Sequence, residues 1–302
     1  MNVNFFKSIY NEDTIFHYTK ASTAIDYILY NQKLRFSKAV RSNDPIESKK
    51  AKRGIVYFDS EVDINQSKEL HDDANELHNT LDDLENRFCQ ICFCKNTLGA
   101  DFASEHYLAF KGNEELFGFT KPRMWDQYAD KFTGVCIAFS KEKILSLNKD
   151  KFELIVDDVS YLSFRELFMK KVGDIQGNYL KKVGKDKYKE QLEKSLKESF
   201  FYKHLDYSGE NELRIGTLFE PEKCFPEIIR DELILNQNMM LDITNCISAI
   251  FISSFTNDKQ KMDLLEYANN FNVELIEMNW KHNSFEPRNY KKWIEVMKNI
   301  EI

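Results

Sequence analysis

The chain has 302 residues, of which 42% are hydrophobic, and it carries a net charge of −7 with only 10 Gly and 5 Pro. This length and apolar content suit one large domain over residues 1–302 and count against long structureless linkers. The acidic balance also argues against a broad nucleic-acid-binding surface, which would need a basic face.

The expected cellular location is inferred from the number of cysteines and from the lack of long apolar segments. No apolar run approaches the roughly 18 residues that a membrane-spanning helix needs, so we expect no membrane partner. The N-terminal residues lack the features of a secretion signal. Six cysteines in such a chain are typical of reduced thiols, and we therefore expect a cytoplasmic protein.

The first elements are a strand, a helix and a second strand. Residues 14–19 predict a short buried strand, and apolar residues at helical spacing over 21–29 predict a helix behind it. Residues 33–37 alternate between apolar and polar side chains, which predicts a second strand. The stretch 42–48 then predicts a turn, because Pro45 stops regular structure.

The rest of the chain predicts further strands with two helical insertions, and hence an α+β fold built on a mixed sheet. In chain order the predicted elements are a helical insertion at about 60–88, strands at 88–94, 134–139 and 152–161, a helical insertion at about 163–202, a strand at 211–219, and a C-terminal βαβ-like unit over 247–278.

Several common sites are absent from the sequence. Cys89, Cys92 and Cys94 lack a second pair at zinc-site spacing, and His71 and His78 stand two helical turns apart, so we predict no metal site. No G-x-S-x-G, Walker A or G-x-G-x-x-G motif occurs, which counts against a serine hydrolase and a glycine-rich phosphate loop.

What remains is a scattered set of polar and aromatic residues near the ends of predicted strands. The candidates are His17, Tyr18, Thr19, Arg35, Asn43, Asp44, Trp125, Tyr128, Lys203, Glu210, Glu212 and Arg214. Each also has a purely structural interpretation. A lone histidine is commonly a hydrogen-bonded core residue, Asn and Asp before Pro make a turn, and a Glu two residues from an Arg can form an ion pair.

The order of these segments resembles a large, mostly uncharacterised bacterial family with a domain of unknown function. Its segments are HYT, NDP-x-E, MW-x-x-YAD, GVCIAF and E-x-ELR, and the resemblance runs from about residue 15 to 290.

A second resemblance is to ADP-ribosyltransferase-like proteins, and it rests on FHYT, STAIDYIL and NQKLRFS in succession. It implies an ADP-ribosyltransferase-like core and NAD as a substrate. By that resemblance His17, Tyr18 and Thr19 would hold the nucleotide, and Glu210-Asn211-Glu212 would supply the carboxylate beside the nicotinamide ribose.

The implied reaction is chemically coherent. Cleavage of the N-glycosidic bond of NAD passes through an oxocarbenium-like centre, which a carboxylate such as Glu212 stabilises. Tyr128 or Trp125 would stack on the nicotinamide, and Arg35 or Arg214 would contact the pyrophosphate. The acceptor would be a macromolecule of unknown identity, and proteins of this kind commonly serve as toxins or antiviral effectors.

Two other functions remain open at this point. One is a nucleotide- or RNA-phosphate-processing enzyme that uses His17 and Arg214 on phosphate. The other is a non-catalytic sensor module. A structural ion pair between Glu212 and Arg214 would count against a catalytic Glu212.

Overall fold

The computed structural model describes residues 3–39, 53–56, 64–98, 113–219, 239–282 and 284–300. The candidate residues Asn43 and Asp44 lie outside this described part of the chain. None of the described helices has both the length and the apolar character needed to cross a lipid bilayer.

The strands are numbered here in chain order. They are β1 (Thr14–Thr19), β2 (Lys33–Arg35), β3 (Ser37–Lys38), β4 (Ile55–Val56), β5 (Phe88–Lys95), β6 (Val135–Ser140), β7 (Ile155–Asp158), β8 (Ser160–Leu162), β9 (Ile175–Gln176), β10 (Tyr202–His204), β11 (Glu212–Leu218), β12 (Met240–Asp242), β13 (Ile247–Ser253), β14 (Glu274–Lys281) and β15 (Ser284–Asn289).

The helices are numbered in the same way. They are α1 (Val3–Ile9), α2 (Ala21–Thr23), α3 (Ile64–Arg87), α4 (Pro122–Gln127), α5 (Lys141–Asn148), α6 (Phe164–Lys170), α7 (Gly177–Val183), α8 (Lys185–Ser199), α9 (Asp258–Asn270) and α10 (Tyr290–Ile300). Helix α2 continues as a π-helix over Ala24–Leu29, and short 3₁₀ helices cover Glu114–Leu116 and Leu205–Glu210.

One large mixed sheet forms the centre of the molecule. Its strand order is β15-β14-β13-β6-β1-β5-β11-β7, and β3 pairs additionally with β5. Only β13 and β14 run parallel within it, and the other pairs are antiparallel. The predicted α+β class with a mixed sheet is confirmed.

Apolar side chains cover both faces of this sheet. Adjacent residues of a strand point to opposite faces, and in β1 Ile15 joins one buried cluster while Phe16 joins the other. In β6 the same alternation sends Ile137 to the first cluster and Ala138 to the second. Burial on both faces explains why the sequence of β6 is almost wholly apolar.

The two helical insertions pack against each other in a third cluster. Leu77 and Leu81 of α3 belong to it together with Ile175 and Leu196 from the second insertion. The second insertion is not one long helix, because it is divided into α6, the short strand β9, α7 and α8. Gly184 separates α7 from α8 with a φ of 82°, a conformation that glycine adopts without steric cost.

The predicted C-terminal strand–helix–strand unit is present as β13, α9 and β14. Strand β13 also pairs with β6, so the unit extends the central sheet. The chain then adds β15 and α10, which the hydrophobic pattern did not predict.

The turn before β6 is a point of tight backbone packing. A Cβ atom at Gly134 would lie 2.3 Å from the carbonyl oxygen of Thr19 and 2.8 Å from that of Ala129. Since both neighbours are backbone, they cannot move aside as a side chain would.

We therefore expect Gly134→Ala to lower the free energy of unfolding by about 1–3 kcal/mol, the usual effect of overpacking. Gly209→Ala is a matched control, because a Cβ atom there would meet no heavy atom within 4 Å. Thermal unfolding of the two variants beside the wild type checks this, and equal melting temperatures for both would contradict it.

Candidate functional site

The candidate site is a cleft that opens where β1 and β5 part. Strand β1 pairs with β5 only through Ile15 and Phe16, although its pairing with β6 continues to Thr19. Strand β3 pairs with the same strand further along, at Cys89 and Gln90. Neither of these pairings includes residues 91–93 of β5, and this stretch forms part of the cleft wall.

The cleft has a volume of about 570 Å³, within the range usual for small-molecule sites. It is lined by Phe16, His17, Tyr18, Arg35, Ser37, Lys38, Gln90, Ile91, Cys92, Phe93, Cys94, Met124, Gln127, Tyr128, Lys203, Tyr207, Glu210 and Glu212. These residues come from widely separated segments, which the central sheet brings together.

His17 lies at the point where β1 separates from β5. Its Nδ1 lies 3.0 Å from the carbonyl oxygen of Cys92. A carbonyl only accepts hydrogen bonds, so in the neutral ring Nδ1 carries the hydrogen and Nε2 presents a lone pair. Desolvation lowers the pKa of His17 below its ordinary value of 6.5, although the bond to Cys92 opposes the shift. The ring is therefore neutral at pH 7.

The segment Glu210-Asn211-Glu212 brings two carboxylates together. A 3₁₀ helix ends at Glu210, Asn211 adopts the left-handed conformation with φ 46° and ψ 57°, and β11 begins at Glu212. Asparagine tolerates this conformation better than most residues. The Asn211 side-chain amide also donates to the carbonyl oxygens of Lys95 (3.2 Å) and Asn96 (3.0 Å). The connection is thus tied to the end of β5.

Two cations share these carboxylates. Lys203 Nζ lies 2.7 Å from Glu210 Oε2 and 3.3 Å from Glu212 Oε2. Arg214 donates to both oxygens of Glu212, at 2.8 and 3.3 Å. All four residues are at most 5% exposed. Two buried cations thus balance two buried anions, and each ion keeps a hydrogen-bonded partner.

The two carboxylates differ in their electrostatics. Burial raises the pKa of both, but for Glu212 the charges and hydrogen bonds of Arg214 and Lys203 outweigh burial and hold its pKa well below the ordinary value. For Glu210 burial outweighs the attraction of Lys203, and its pKa is raised. Glu212 is therefore a fixed anion, whereas Glu210 is the more basic of the two.

Two tyrosine hydroxyls contact the carboxylate segment: Tyr128 lines the cleft, whereas Tyr161 is not among the lining residues. The Tyr128 hydroxyl donates to Glu210 Oε1 at 3.2 Å, and the Tyr161 hydroxyl accepts from the Glu212 amide at 2.8 Å. Burial is the main cause that raises the pKa of both phenols above the usual value of 10.0. Both hydroxyls therefore remain protonated donors at neutral pH.

The structure brings together some of the sequence-predicted residues and separates others. His17, Tyr18, Arg35, Tyr128, Glu210 and Glu212 line the cleft, and Arg214 reaches it through Glu212. Thr19 and Trp125 are not among the residues that line it.

Trp125 is a core residue. It is fully buried, its indole Nε1 donates to the Phe119 carbonyl at 2.8 Å, and its ring meets that of Tyr18 edge-on at 5.5 Å. The Tyr18 hydroxyl is also engaged, since it donates to the Gly118 carbonyl at 2.8 Å. Of the two aromatics proposed to stack on a ligand, only Tyr128 lies in the cleft.

Sequence reasoning missed Tyr161 and Gln90, and it named Lys203 without a role. The signal for Gln90 is its place as a polar residue inside the otherwise apolar run FCQICFC. For Lys203, no local sequence pattern predicts that the chain folds back so that Glu210 and Glu212 contact it.

The family comparison falls on this part of the chain. Residues 124–215 match a family model described as "Protein of unknown function (DUF2971)". The matched segment runs from α4 into β11 and contains Tyr128, Lys203, Glu210, Glu212 and Arg214. No curated protein and no solved structure matches the chain.

We expect Lys203→Met to destabilise the protein by about 3–5 kcal/mol, because it leaves two buried carboxylates with less compensating charge. Urea unfolding measures the loss. Adding Glu210→Gln should recover part of it, since one of the stranded charges is then removed. Lys185→Met, which removes a surface ion pair with Asp73 and Glu76, is the control and should change little. A Lys203 variant as stable as this control would contradict the charge arrangement.

The lowered pKa of His17 predicts a pH dependence of stability. The unfolded chain takes up the His17 proton near pH 6.5, whereas the folded chain takes it up only at lower pH. The stabilisation is thus complete above pH 6.5 and is lost as the pH falls through the folded-state pKa. His17→Gln should flatten this part of the stability profile, as measured by urea unfolding at pH 5–8. If the free energies of unfolding of variant and wild type changed with pH in parallel, the lowered pKa of His17 would be ruled out.

Proposed function

We propose that this chain is an NAD-dependent ADP-ribosyltransferase or NAD-cleaving enzyme. The observation that carries the proposal is convergence: His17, Tyr128 and the Glu210/Glu212 pair lie far apart in sequence yet line one cleft. The resemblance of the N-terminal segments to ADP-ribosyltransferase-like proteins supplies the reaction class. A role as a toxin or an antiviral effector rests on that resemblance alone.

The charges around the two glutamates suit them to different roles in the proposed reaction. Glu212 is held by Arg214 and Lys203, so it is suited to act as a fixed negative charge near the reacting ribose. Arg214 already compensates part of that charge, which reduces what Glu212 can offer to a developing cation. Glu210 has the raised pKa, and among the described residues its cationic partner is Lys203. Glu210 is therefore the better proton acceptor.

The proposed reaction is a substitution at C1′ of the nicotinamide ribose. The C1′–N1 bond breaks, and nicotinamide leaves with the electron pair. Water or the acceptor nucleophile forms the new bond to C1′, and its proton passes to Glu210. The positive charge that develops on the ribose is stabilised by Glu210 and Glu212.

The remaining cleft residues fit a dinucleotide with a charged centre. Arg35 and Lys38 line the cleft near β3, where they would meet phosphate oxygens. Tyr128 is 40% exposed and lies beside Glu210, so its ring can contact a flat heterocycle. Arg214, by contrast, is occupied by Glu212 and by the Phe200 carbonyl, and it is not assigned to the pyrophosphate.

The test is incubation of the protein with NAD, with and without cell extract as a source of acceptor, and measurement of released nicotinamide. We expect Glu210→Gln to lower the rate by about a hundredfold or more, the usual effect of losing one such catalytic group. Glu212→Gln and His17→Ala should also lose activity. Tyr128→Phe keeps the ring and loses only the hydroxyl, so it should retain more activity than Glu210→Gln.

Two results would contradict the proposal. One is that NAD is neither bound nor consumed, with or without extract. The other is that the Glu210 and Glu212 variants cleave NAD as fast as the wild type while remaining folded by circular dichroism.

The rival phosphate-processing function draws support from Arg35, Lys38 and His17, which line the same cleft. Lys203 and Arg214 are already balanced by Glu210 and Glu212, so this end of the cleft offers a phosphate no net positive charge, which weighs against the rival. Release of inorganic phosphate or cleavage of an RNA, without release of nicotinamide, would favour the rival. Binding without turnover would favour a sensor module.

A further inference from the structure

The side chain of Gln90 is the unexplained polar group of the cleft. Gln90 lies on β5, is 7% exposed and lines the cleft. Its Oε1 is buried and has no hydrogen-bond partner within the described part of the chain. Buried amide oxygens in folded proteins nearly always have a partner, so an orphan at a cleft wall calls for one beyond the described residues.

The position of Gln90 defines a second end of the cleft. Gln90 pairs with Ser37 on one side and with Gly216 on the other. Glu212 pairs with Cys94, four residues further along β5, and four strand residues span about 13 Å. The glutamine and the carboxylates therefore stand at opposite ends of one elongated site.

The two strand neighbours of Gln90 differ in character, one being polar and the other apolar. Directly opposed residues of an antiparallel pair have their side chains on the same face. Ser37 therefore offers a hydroxyl beside Gln90, whereas the space over Gly216 is filled by the ring of Phe88. Lys38 and Arg35 line the cleft at this same end.

We infer that Gln90 is the residue that selects the base of the substrate, and that it takes the amino edge of an adenine. A glutamine amide presents one donor and one acceptor, and it pairs with the N6 amino group and N7 of adenine. Adenine supplies the donor that Oε1 lacks. This inference rests on the proposed function, because it treats the ligand as an adenine dinucleotide whose other end meets Glu210 and Glu212.

The inference makes a prediction about hypoxanthine, in which O6 replaces the N6 amino group. The O6 and N7 edge carries two acceptors and no donor. A glutamine amide has only one donor on its pairing edge, so the match fails whichever way the amide is turned. Discrimination between the two bases should therefore depend on Gln90.

The experiment measures dissociation constants of AMP, IMP, NAD and nicotinamide hypoxanthine dinucleotide by titration calorimetry on the full chain. The wild type should prefer each adenine ligand over its hypoxanthine partner by about ten- to a hundredfold. Gln90→Leu should reduce that preference to about twofold or less. Gln90→Met serves if the leucine variant fails to fold, as judged by its melting curve.

The outcomes separate this inference from the proposed function. If nicotinamide is released but the base preference is absent or survives in Gln90→Leu, the base-selecting role is wrong and the enzyme class stands. If AMP binds with a Gln90-dependent preference but no nicotinamide is released, the enzyme class is wrong and the subsite stands. If none of the four ligands binds at millimolar concentration, both are wrong.

Discussion

The cleft of this molecule opens at a single edge of strand β5, which is shared by two short partners. Strand β5 is fully paired with β11 on one edge, whereas on the other it pairs with β1 at one end and with β3 at the other. His17 reaches across the break, and its ring nitrogen hydrogen-bonds to the Cys92 carbonyl. The sheet thereby opens a cleft without leaving that carbonyl unpaired.

The ionic network at one end of the cleft buries four charges that are paired with one another. Burying four charges is costly even when they are paired, and apolar residues of similar volume often serve a core equally well. Here Lys203 contacts both glutamates while Arg214 contacts only Glu212. This asymmetry gives two carboxylates of the same type different basicities within one site, as general acid–base chemistry requires.

Elements with a clear hydrophobic period could be predicted from the sequence, whereas contacts between distant segments could not. Strand β6 and the β13–α9–β14 unit were predicted because apolar runs and helical spacing are local properties. The division of residues 163–202 into three helices was missed, because the breaks depend on glycine conformation and on packing against α3. Trp125 and Tyr128 share one motif, yet one lies in the core and the other lines the cleft. Their three-residue spacing alone could not separate them.

The order of strands in the sheet has a consequence for synthesis of the protein. Strand β1 is made early, but its neighbours β5 and β6, and then Glu210 and Glu212, follow over the next two hundred residues. Contacts of such long range form late and as a unit. A nascent or truncated chain that ends before β11 lacks Glu212 and Arg214, and it lacks the strand that pairs with one edge of β5. The four paired charges of the cleft are thus complete only once most of the chain has left the ribosome.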